Sequence, residues 1–445
     1  MHILATATSN EYFGDEEKNA AANRCRRWLD IIKQANVNRV EDAEYLGWAA
    51  YNNGDYKAAA HWLELSKGDS AAAFWLRAKL QRRAGKLQEA TTSMAKAVEL
   101  LKTSPAYASS DEESDVDEDY RGGHWSFENS ANGDLGGLQL ARGDFVQAFD
   151  VLFNGGLWED AAFVAERVLT TNELKQYVDA LPAPDPSQEV ADDNDKLRYL
   201  FGRRLVREDH YAEAAPYLRK PYDKVLEKYV KALQDGANEK LPKTDRAHAW
   251  FTAAWIARHD GMELMGTEVA PDSFAESGDF EIPDLAKQRR SGVYLKISYD
   301  KQGNEQKKNM PAVLKASPKE IQRLTANKIE PDVRFHYRLI AGALAMRAAA
   351  LLPDNSEELA DVINQAGVWV KDRDQKTGNR YYQVMDHRCA KTKIGQTDRA
   401  KHWFVDQEGP WSAAEQQSDR AFHKELKLDV GEDTSEQSSA PAPTP

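Results

Sequence analysis

The amino-acid sequence predicts an all-α protein, an α-α superhelix built from helix hairpins, with one small β-hairpin inserted. A short turn pattern recurs five times, the segments around it carry apolar residues at helical spacing, and strand-like alternation is confined to one segment. Of the 445 residues, 41% are hydrophobic and 29% are charged. The chain therefore has enough apolar material for the core of such a stack.

The recurring pattern is a turn residue, then a large apolar residue two places later, then Ala three places further on. Its five instances are Gly54, Tyr56, Ala59; Gly85, Leu87, Ala90; Gly143, Phe145, Ala148; Gly156, Trp158, Ala161; and Asp209, Tyr211, Ala214. The turn residue has to tolerate a positive φ to end the first helix of a hairpin, which Gly does without steric cost. The large residue closes the base of the hairpin, and the small Ala lets the two helices approach closely.

The sequence also predicts the helices before and after these turns. Apolar and small residues follow helical spacing before Gly54 and before Asp209. The small residues among them, Gly47 and Gly202, stand where two helices would cross. After Gly85, one apolar stripe runs along a helix of good helix formers: Ala90, Met94, Ala97, Val98 and Leu101.

In these features the chain resembles the tetratricopeptide family, over about residues 40 to 102 and 132 to 220. Three departures from the family pattern stand out. The unit ending at Leu65 is short, Gln81 stands where a tyrosine-like residue is usual, and no closing Pro follows Leu101. The resemblance implies a solenoid that binds other proteins, with a groove lined by the first helices of its repeats.

The C-terminal half resembles a group of uncharacterised bacterial helical-repeat proteins, in the segments Gly261 to Glu268 and Phe335 to Arg338. Members of that group are longer at the N-terminus and often begin with an export signal. Met1 to Asn10 has no basic start followed by a long apolar stretch, so the sequence as it stands predicts a cytoplasmic protein. If the N-terminus is truncated, the resemblance implies the cell envelope or export.

Composition along the chain predicts five regions. They are an N-terminal helix and repeats (1–102), an acidic flexible loop (103–131), further repeats (132–240), a C-terminal helical region (241–425) with a loop and β-hairpin insertion at 266–330, and a disordered tail (426–445). In the insertion, Val293 to Tyr299 alternates as a strand does, a turn follows, and Pro311 to Leu314 is the predicted partner strand. Ser356 is predicted to cap the helix that follows it.

Charge and composition exclude several classes of function. The net charge of −13, much of it in Asp111 to Asp119, argues against binding of nucleic acid or anionic membranes. Apolar runs fall short of the ~20 residues of a membrane span. Cys25 and Cys389, far apart and without metal-ligand spacing, are expected to be ordinary thiols.

The sequence offers no catalytic set, no cofactor site and no metal site. His259 and Glu263 lie four apart but lack the second His of a zinc helix, and the acidic residues near Asp272 fit no calcium loop. Trp411 lies in a stretch interpreted as irregular. The weak candidates for binding are Glu268, Asp272 and His336, in or next to the insertion.

The resulting expectation is a non-catalytic scaffold or adaptor with protein partners and no nucleic acid, its oligomeric state open. Two alternatives remain. One is a structural subunit of a larger bacterial envelope or surface assembly. The other is an enzyme accessory subunit with a site near the 266–338 segment, because non-repetitive insertions are where special functions tend to be placed.

Overall fold

The computed structural model describes residues 15–35, 37, 40–103, 127–183, 192–267, 282–299, 304–312, 314–333 and 335–428. Within these residues the chain forms 21 α-helices and one two-stranded sheet, which confirms the predicted all-α class with its small β-hairpin. Most of the predicted acidic loop and of the predicted tail falls outside the described residues.

The first fourteen helices precede the hairpin. They are α1 (Asp15–Gln34), α2 (Ala43–Asn52), α3 (Tyr56–Leu65), α4 (Ala71–Arg83), α5 (Leu87–Thr103), α6 (Phe127–Arg142), α7 (Phe145–Asn154), α8 (Trp158–Phe163), α9 (Thr171–Asp179), α10 (Asp193–Arg207), α11 (Tyr211–Ala214), α12 (Tyr222–Ala237), α13 (Lys243–His259) and α14 (Gly261–Met265). A π-helical turn, Val164–Val168, continues α8.

The remaining elements begin with the insertion. They are α15 (Ile282–Ser291), β1 (Val293–Tyr299), β2 (Glu305–Pro311), α16 (Pro318–Ala326), α17 (His336–Ala349), α18 (Glu357–Val370), α19 (Gln375–Arg388), α20 (Lys393–Lys401) and α21 (Pro410–Glu425). Ser356 caps α18, its hydroxyl oxygen accepting a hydrogen bond from the amide of Leu359, as predicted.

Contacts divide the chain into two compact units. Unit 1 consists of Met1–Thr170 with Leu285–Asn327, and unit 2 consists of Thr171–Asp284 with Lys328–Pro445. Unit 1 therefore consists of two separate segments of the chain, and the second of these contains the hairpin and α16. The hairpin, expected in the C-terminal region, belongs with the helices of unit 1.

Unit 1 is a series of helices in which each packs on its sequence neighbours, as in a helical repeat. The core runs through α4, α5 and α6, with Met94, Leu101 and Leu138 among its buried residues. The hairpin segment joins this core through Leu314, and Arg289 donates two hydrogen bonds, of 2.7 and 2.8 Å, to the buried carboxylate of Glu320. The insertion is thus packed into the unit by apolar and charged contacts.

The five predicted turns share one backbone geometry. Their turn residues all have positive φ: Gly54 (81°), Gly85 (75°), Gly143 (88°), Gly156 (70°) and Asp209 (60°). The large apolar residue of each instance is the first residue of the next helix, and each of the five Ala residues is fully buried. At Gly85 the amide of the following Lys86 donates to the carbonyl of Gln81, and the other four turns repeat this bond. It is the Schellman arrangement that satisfies the last carbonyls of a helix.

The β-hairpin is antiparallel, with Val293 paired to Pro311 and Tyr299 paired to Glu305. The strand Val293–Tyr299 is as predicted, but the predicted partner, Pro311 to Leu314, is wrong beyond Pro311. The partner strand β2 is polar and almost wholly exposed, so it lacks the apolar alternation by which strands are recognised.

Unit 2 is organised around α13, which packs against α12 on one side and α17 on the other. Helix α18 continues the series from α17 and contacts α19, α20 and α21. The aromatic rings of Phe251, Trp255 and Trp369 fill the space between α13 and α18. No helix in the described part of the chain is both long enough and apolar enough to cross a membrane.

Candidate functional site

The candidate site lies in unit 2, where α21 crosses α12 and α13. Four residues of α21, each four places from the next, share one helix face: Trp411, Glu415, Asp419 and His423. This row combines an aromatic ring, two carboxylates and an imidazole. All four contact α13 or the residue that follows it.

The start of α21 is fixed by a buried carboxylate of α18. Asp361 Oδ2 accepts hydrogen bonds of 2.8 Å from the amide of Trp411 and 2.7 Å from the amide of Ser412. Both amides belong to the first turn of α21, which has no intrahelical partners for them. Burial raises the pKa of Asp361, against the opposing effect of these hydrogen bonds. These hydrogen bonds fix the first turn of α21 on α18. They therefore set the position of Trp411 and of the residues that follow it on the same helix face.

An open groove with a volume of about 540 Å³ runs between α12, α13 and α21. We call it the α12–α13–α21 groove. It is lined by Lys228, Lys231, Ala232, Asp235, Leu241, Thr244, Asp245, His248, Ala249, Thr252 and Trp411. All these residues belong to unit 2.

One corner of the groove is an aromatic pair above a buried acid. The His248 and Trp411 rings meet edge to face, with their centroids 5.0 Å apart. Below them, Glu415 Oε1 lies 3.4 Å from His248 Nε2 and accepts a hydrogen bond from the Thr252 hydroxyl. The Glu415 side chain is 5% exposed and the His248 side chain 50% exposed, so the imidazole covers the carboxylate and itself faces the groove.

The wall formed by α12 carries two lysines and one aspartate, Lys228, Lys231 and Asp235. The Lys228 ammonium lies 4.5 Å from the centre of the Phe422 ring, a cation–π contact that holds it beside α21. One turn further on, Lys231 Nζ forms an ion pair of 2.9 Å with Asp235. The groove therefore combines the aromatic face of Trp411 with two ammonium groups on α12, of which the one on Lys231 is paired with Asp235.

Deeper along the same row, three ionisable side chains converge. His423 Nε2 lies 3.0 Å from Asp260 Oδ1 and 3.7 Å from Asp419 Oδ1. Asp260, between α13 and α14, is 4% exposed, and Asp419 is 9% exposed. Burial raises the pKa of Asp419, and the adjacent Asp260 carboxylate raises the pKa of His423. Clusters of perturbed ionisable groups such as this one are common at functional sites.

Of the three residues predicted for binding, the structure describes only His336, which does not line the groove. His336 is buried at the start of α17, 1% exposed, with its ring 6.0 Å from that of Tyr337. Glu268 and Asp272 lie outside the described residues. The two segments that carried the bacterial resemblance do meet, since a Cβ on Gly261 would stand 2.6 Å from the Tyr337 ring.

Sequence reasoning missed Trp411, Glu415, Asp419 and His423. The interpretation of Trp411 as part of an irregular stretch is wrong, because Trp411 lies in the first turn of α21. The signal was present: Pro410 begins the helix as Pro often does at this position, and the four residues follow at the four-residue spacing of one helix face. Their partners on α12 and α13 lie far away in sequence.

Comparison of the chain with protein-family models, with curated proteins and with solved structures finds no match.

Proposed function

We propose that this chain is a non-catalytic protein-binding protein and that the α12–α13–α21 groove holds an extended segment of its partner. The observation that carries the proposal is the groove itself, about 540 Å³ in volume, open to solvent, with the Trp411 face on one wall and Lys228 on the other. The helical-repeat architecture supports it, because stacked helix pairs commonly bind partners in grooves of this kind.

The shape of the groove favours a chain-like ligand. Sites for small molecules enclose most of their ligand, whereas this groove lies open along the helices that form it. Tryptophan is among the side chains that most often dominate protein–protein binding, and Trp411 is held in place from below by the hydrogen bond of its amide to Asp361. The Trp411 ring also contacts the His248 and Phe251 rings, so its position in the groove is set by contacts within the chain.

The chemistry of the walls defines the occupant. An apolar side chain would pack against Trp411, Ala249 and Ala232, and a carboxylate one or two residues away would approach Lys228. We therefore propose a segment of a partner protein in which an acidic residue neighbours a large apolar one. Burial of the apolar side chain would supply most of the affinity, and the charge pair would supply most of the selectivity.

The test uses the full chain as bait in quantitative pull-downs, with two groove variants, Trp411→Ala and Lys228→Glu. Lys224→Glu is the matched control, since Lys224 lies on the same helix with the same charge and pairs with Glu227 away from the groove. A specific partner should be lost from both groove variants, with at least tenfold weaker binding, and retained by Lys224→Glu.

A charge exchange then tests the occupant directly. Synthetic peptides spanning the partner are titrated against the chain, and the acidic residue of the binding peptide is changed to Lys. The altered peptide should bind the wild-type chain weakly and the Lys228→Glu variant more strongly. A partner that binds wild type, Trp411→Ala and Lys228→Glu equally well would contradict the proposal.

A further inference from the structure

We propose that Asp260, Asp419 and His423 form a binding site for one divalent transition-metal ion, of the Zn²⁺ or Mn²⁺ class. On α21, Asp419 and His423 follow Trp411 by about two and three helical turns on the same face, and the site does not depend on the function proposed for the groove. It would join α21 to the junction of α13 and α14.

The geometry suits a shared ion. One ligand atom from each of the three side chains lies within 4.8 Å of the other two. Two atoms that each stand ~2.1 Å from one ion, at the angles of tetrahedral or octahedral coordination, lie ~3.0–3.4 Å apart. His423 Nε2 is 3.0 Å from Asp260 Oδ1 and 3.7 Å from Asp419 Oδ1, which brackets that range.

Each of the three side chains also has a buried polar atom without a hydrogen-bond partner in the described part of the chain, although for Asp260 this atom is Oδ2 and not the Oδ1 that lies nearest to His423. Within the described residues, Asp260 Oδ2, Asp419 Oδ1 and His423 Nε2 are buried atoms without a hydrogen-bond partner. His423 Nε2 lies 3.0 Å from Asp260 Oδ1, which is an ion-pair distance, so Asp260 Oδ2 is the carboxylate oxygen of this residue that is left unsatisfied. An unpartnered buried carboxylate oxygen is costly, and a cation between the three side chains would satisfy all of them at once.

The surrounding charges leave room for a cation. The cluster holds two carboxylates, and the charged group nearest to Asp419 and His423 on α12 is Lys228, whose ammonium is drawn to the Phe422 ring. The Trp255 indole is the other polar neighbour of Asp419. One neutral imidazole with two carboxylates suits Zn²⁺ or Mn²⁺ better than Ca²⁺ or Mg²⁺, which prefer oxygen ligands alone.

The experiment measures metal binding on the full chain after chelator treatment and dialysis. Zn²⁺, Mn²⁺, Mg²⁺ and Ca²⁺ are titrated separately by calorimetry, and the melting temperature is followed with each. We expect one Zn²⁺ or Mn²⁺ per chain and, with the ion well above its Kd, a melting temperature higher by about 4 °C or more. Mg²⁺ and Ca²⁺ should bind at least tenfold more weakly.

Three single variants locate the site: Asp260→Asn, Asp419→Asn and His423→Gln. Each should weaken binding at least tenfold, whereas His210→Gln, which removes a half-exposed imidazole outside both the cluster and the groove, should leave it unchanged. Circular dichroism establishes that each variant is folded. His423→Asp adds a second readout, because a third carboxylate should lower the preference for Zn²⁺ over Mg²⁺.

Two results would overturn the proposal. One is a wild-type chain with no stoichiometric binding and no change in melting temperature with any of the four ions, which would leave the cluster as a buried ion-pair network. The other is binding that persists in all three single variants, which would place the metal elsewhere. Neither result bears on the pull-downs with Trp411→Ala and Lys228→Glu, so the two proposals fail separately.

Discussion

Leu152 occupies the space where a side chain on Gly136 would be. A Cβ on Gly136 would stand 2.7 Å from both Cγ and Cδ2 of Leu152, closer than real side chains approach. Gly136 lies on α6 and Leu152 on the adjacent α7, so the two helices pack at the distance that this glycine permits. The same kind of contact joins Gly47 to Leu76, with 2.6 Å between the added Cβ and Leu76 Cδ2.

We therefore predict that Gly136→Ala destabilises unit 1. The matched control is Gly133→Ala on the same helix, where an added Cβ would meet Leu157 Cδ1 at an ordinary 3.5 Å. Both variants gain the same helix propensity, so their difference reports the overpacking alone, about 1–3 kcal/mol in the free energy of unfolding. Urea unfolding of the two variants measures it. Equal stability would mean that α6 and α7 can separate without cost.

Such glycines show how far the sequence predicts the fold. Gly47 and Gly202 were recognised as crossing residues, because each precedes a turn residue by a fixed interval within apolar helices. The five turns were recognised because positive φ imposes a residue preference that is visible without any neighbours. Local signals of this kind were enough to predict the class of fold and the helices of the first half.

What the sequence did not predict depends on contacts between distant segments. Strand β2 has no apolar pattern of its own, so its position is set by its pairing with β1. Asp260 and His423 are neighbours only because α21 crosses the end of α13. The sequence around Asp260 and the sequence around His423 carry no pattern that predicts a contact between them. Such a contact depends on how distant helices pack.

The turn at Gly85 gives a second prediction, on backbone strain alone. Gly85 has φ of 75°, and no atom lies within 4 Å of where its Cβ would be. Gly85→Ala should therefore lower the free energy of unfolding by about 1–2 kcal/mol, which is the cost of holding Ala in the left-handed conformation. Lys86→Ala, at an exposed neighbouring position, should be nearly neutral. Thermal and urea unfolding measure both variants, and a loss well above this range would show that packing contributes at the turn.

A third prediction concerns the pH dependence of unfolding through Asp398. Asp398 is fully buried and accepts hydrogen bonds from the amide of Val405 (3.0 Å) and the side chains of Asn364 (3.0 Å) and Gln407 (2.9 Å). Burial raises its pKa, while these bonds and the nearby Lys371 oppose the shift. Between the ordinary Asp pKa and this raised pKa, the folded chain binds more protons than the unfolded chain.

The contribution of Asp398 to stability is therefore complete at acid pH and is lost as the pH rises through its raised pKa. Asp398→Asn does not titrate, so the stability of the wild type minus that of the variant should decrease from pH 4 towards neutral. Urea unfolding of both proteins across this range measures the difference. A difference that stays constant or grows with pH would mean that the hydrogen bonds outweigh burial and lower the pKa instead.

The two cysteines give a last prediction, because both thiols are shielded by the fold. Cys389 is fully buried and Cys25 is 1% exposed. Burial raises the pKa of Cys389 to about 12, with Arg388 opposing the shift, and burial also raises the pKa of Cys25. Since the thiolate is the reactive form, both residues should react only slowly with a disulfide reagent at pH 8. Both should react fully in denaturant.

A Lys224→Cys variant, which carries a thiol on the exposed side of α12, provides the rate of an unshielded cysteine. If the native thiols matched that rate, the burial of Cys25 on α1 and of Cys389 directly after α19 would be refuted.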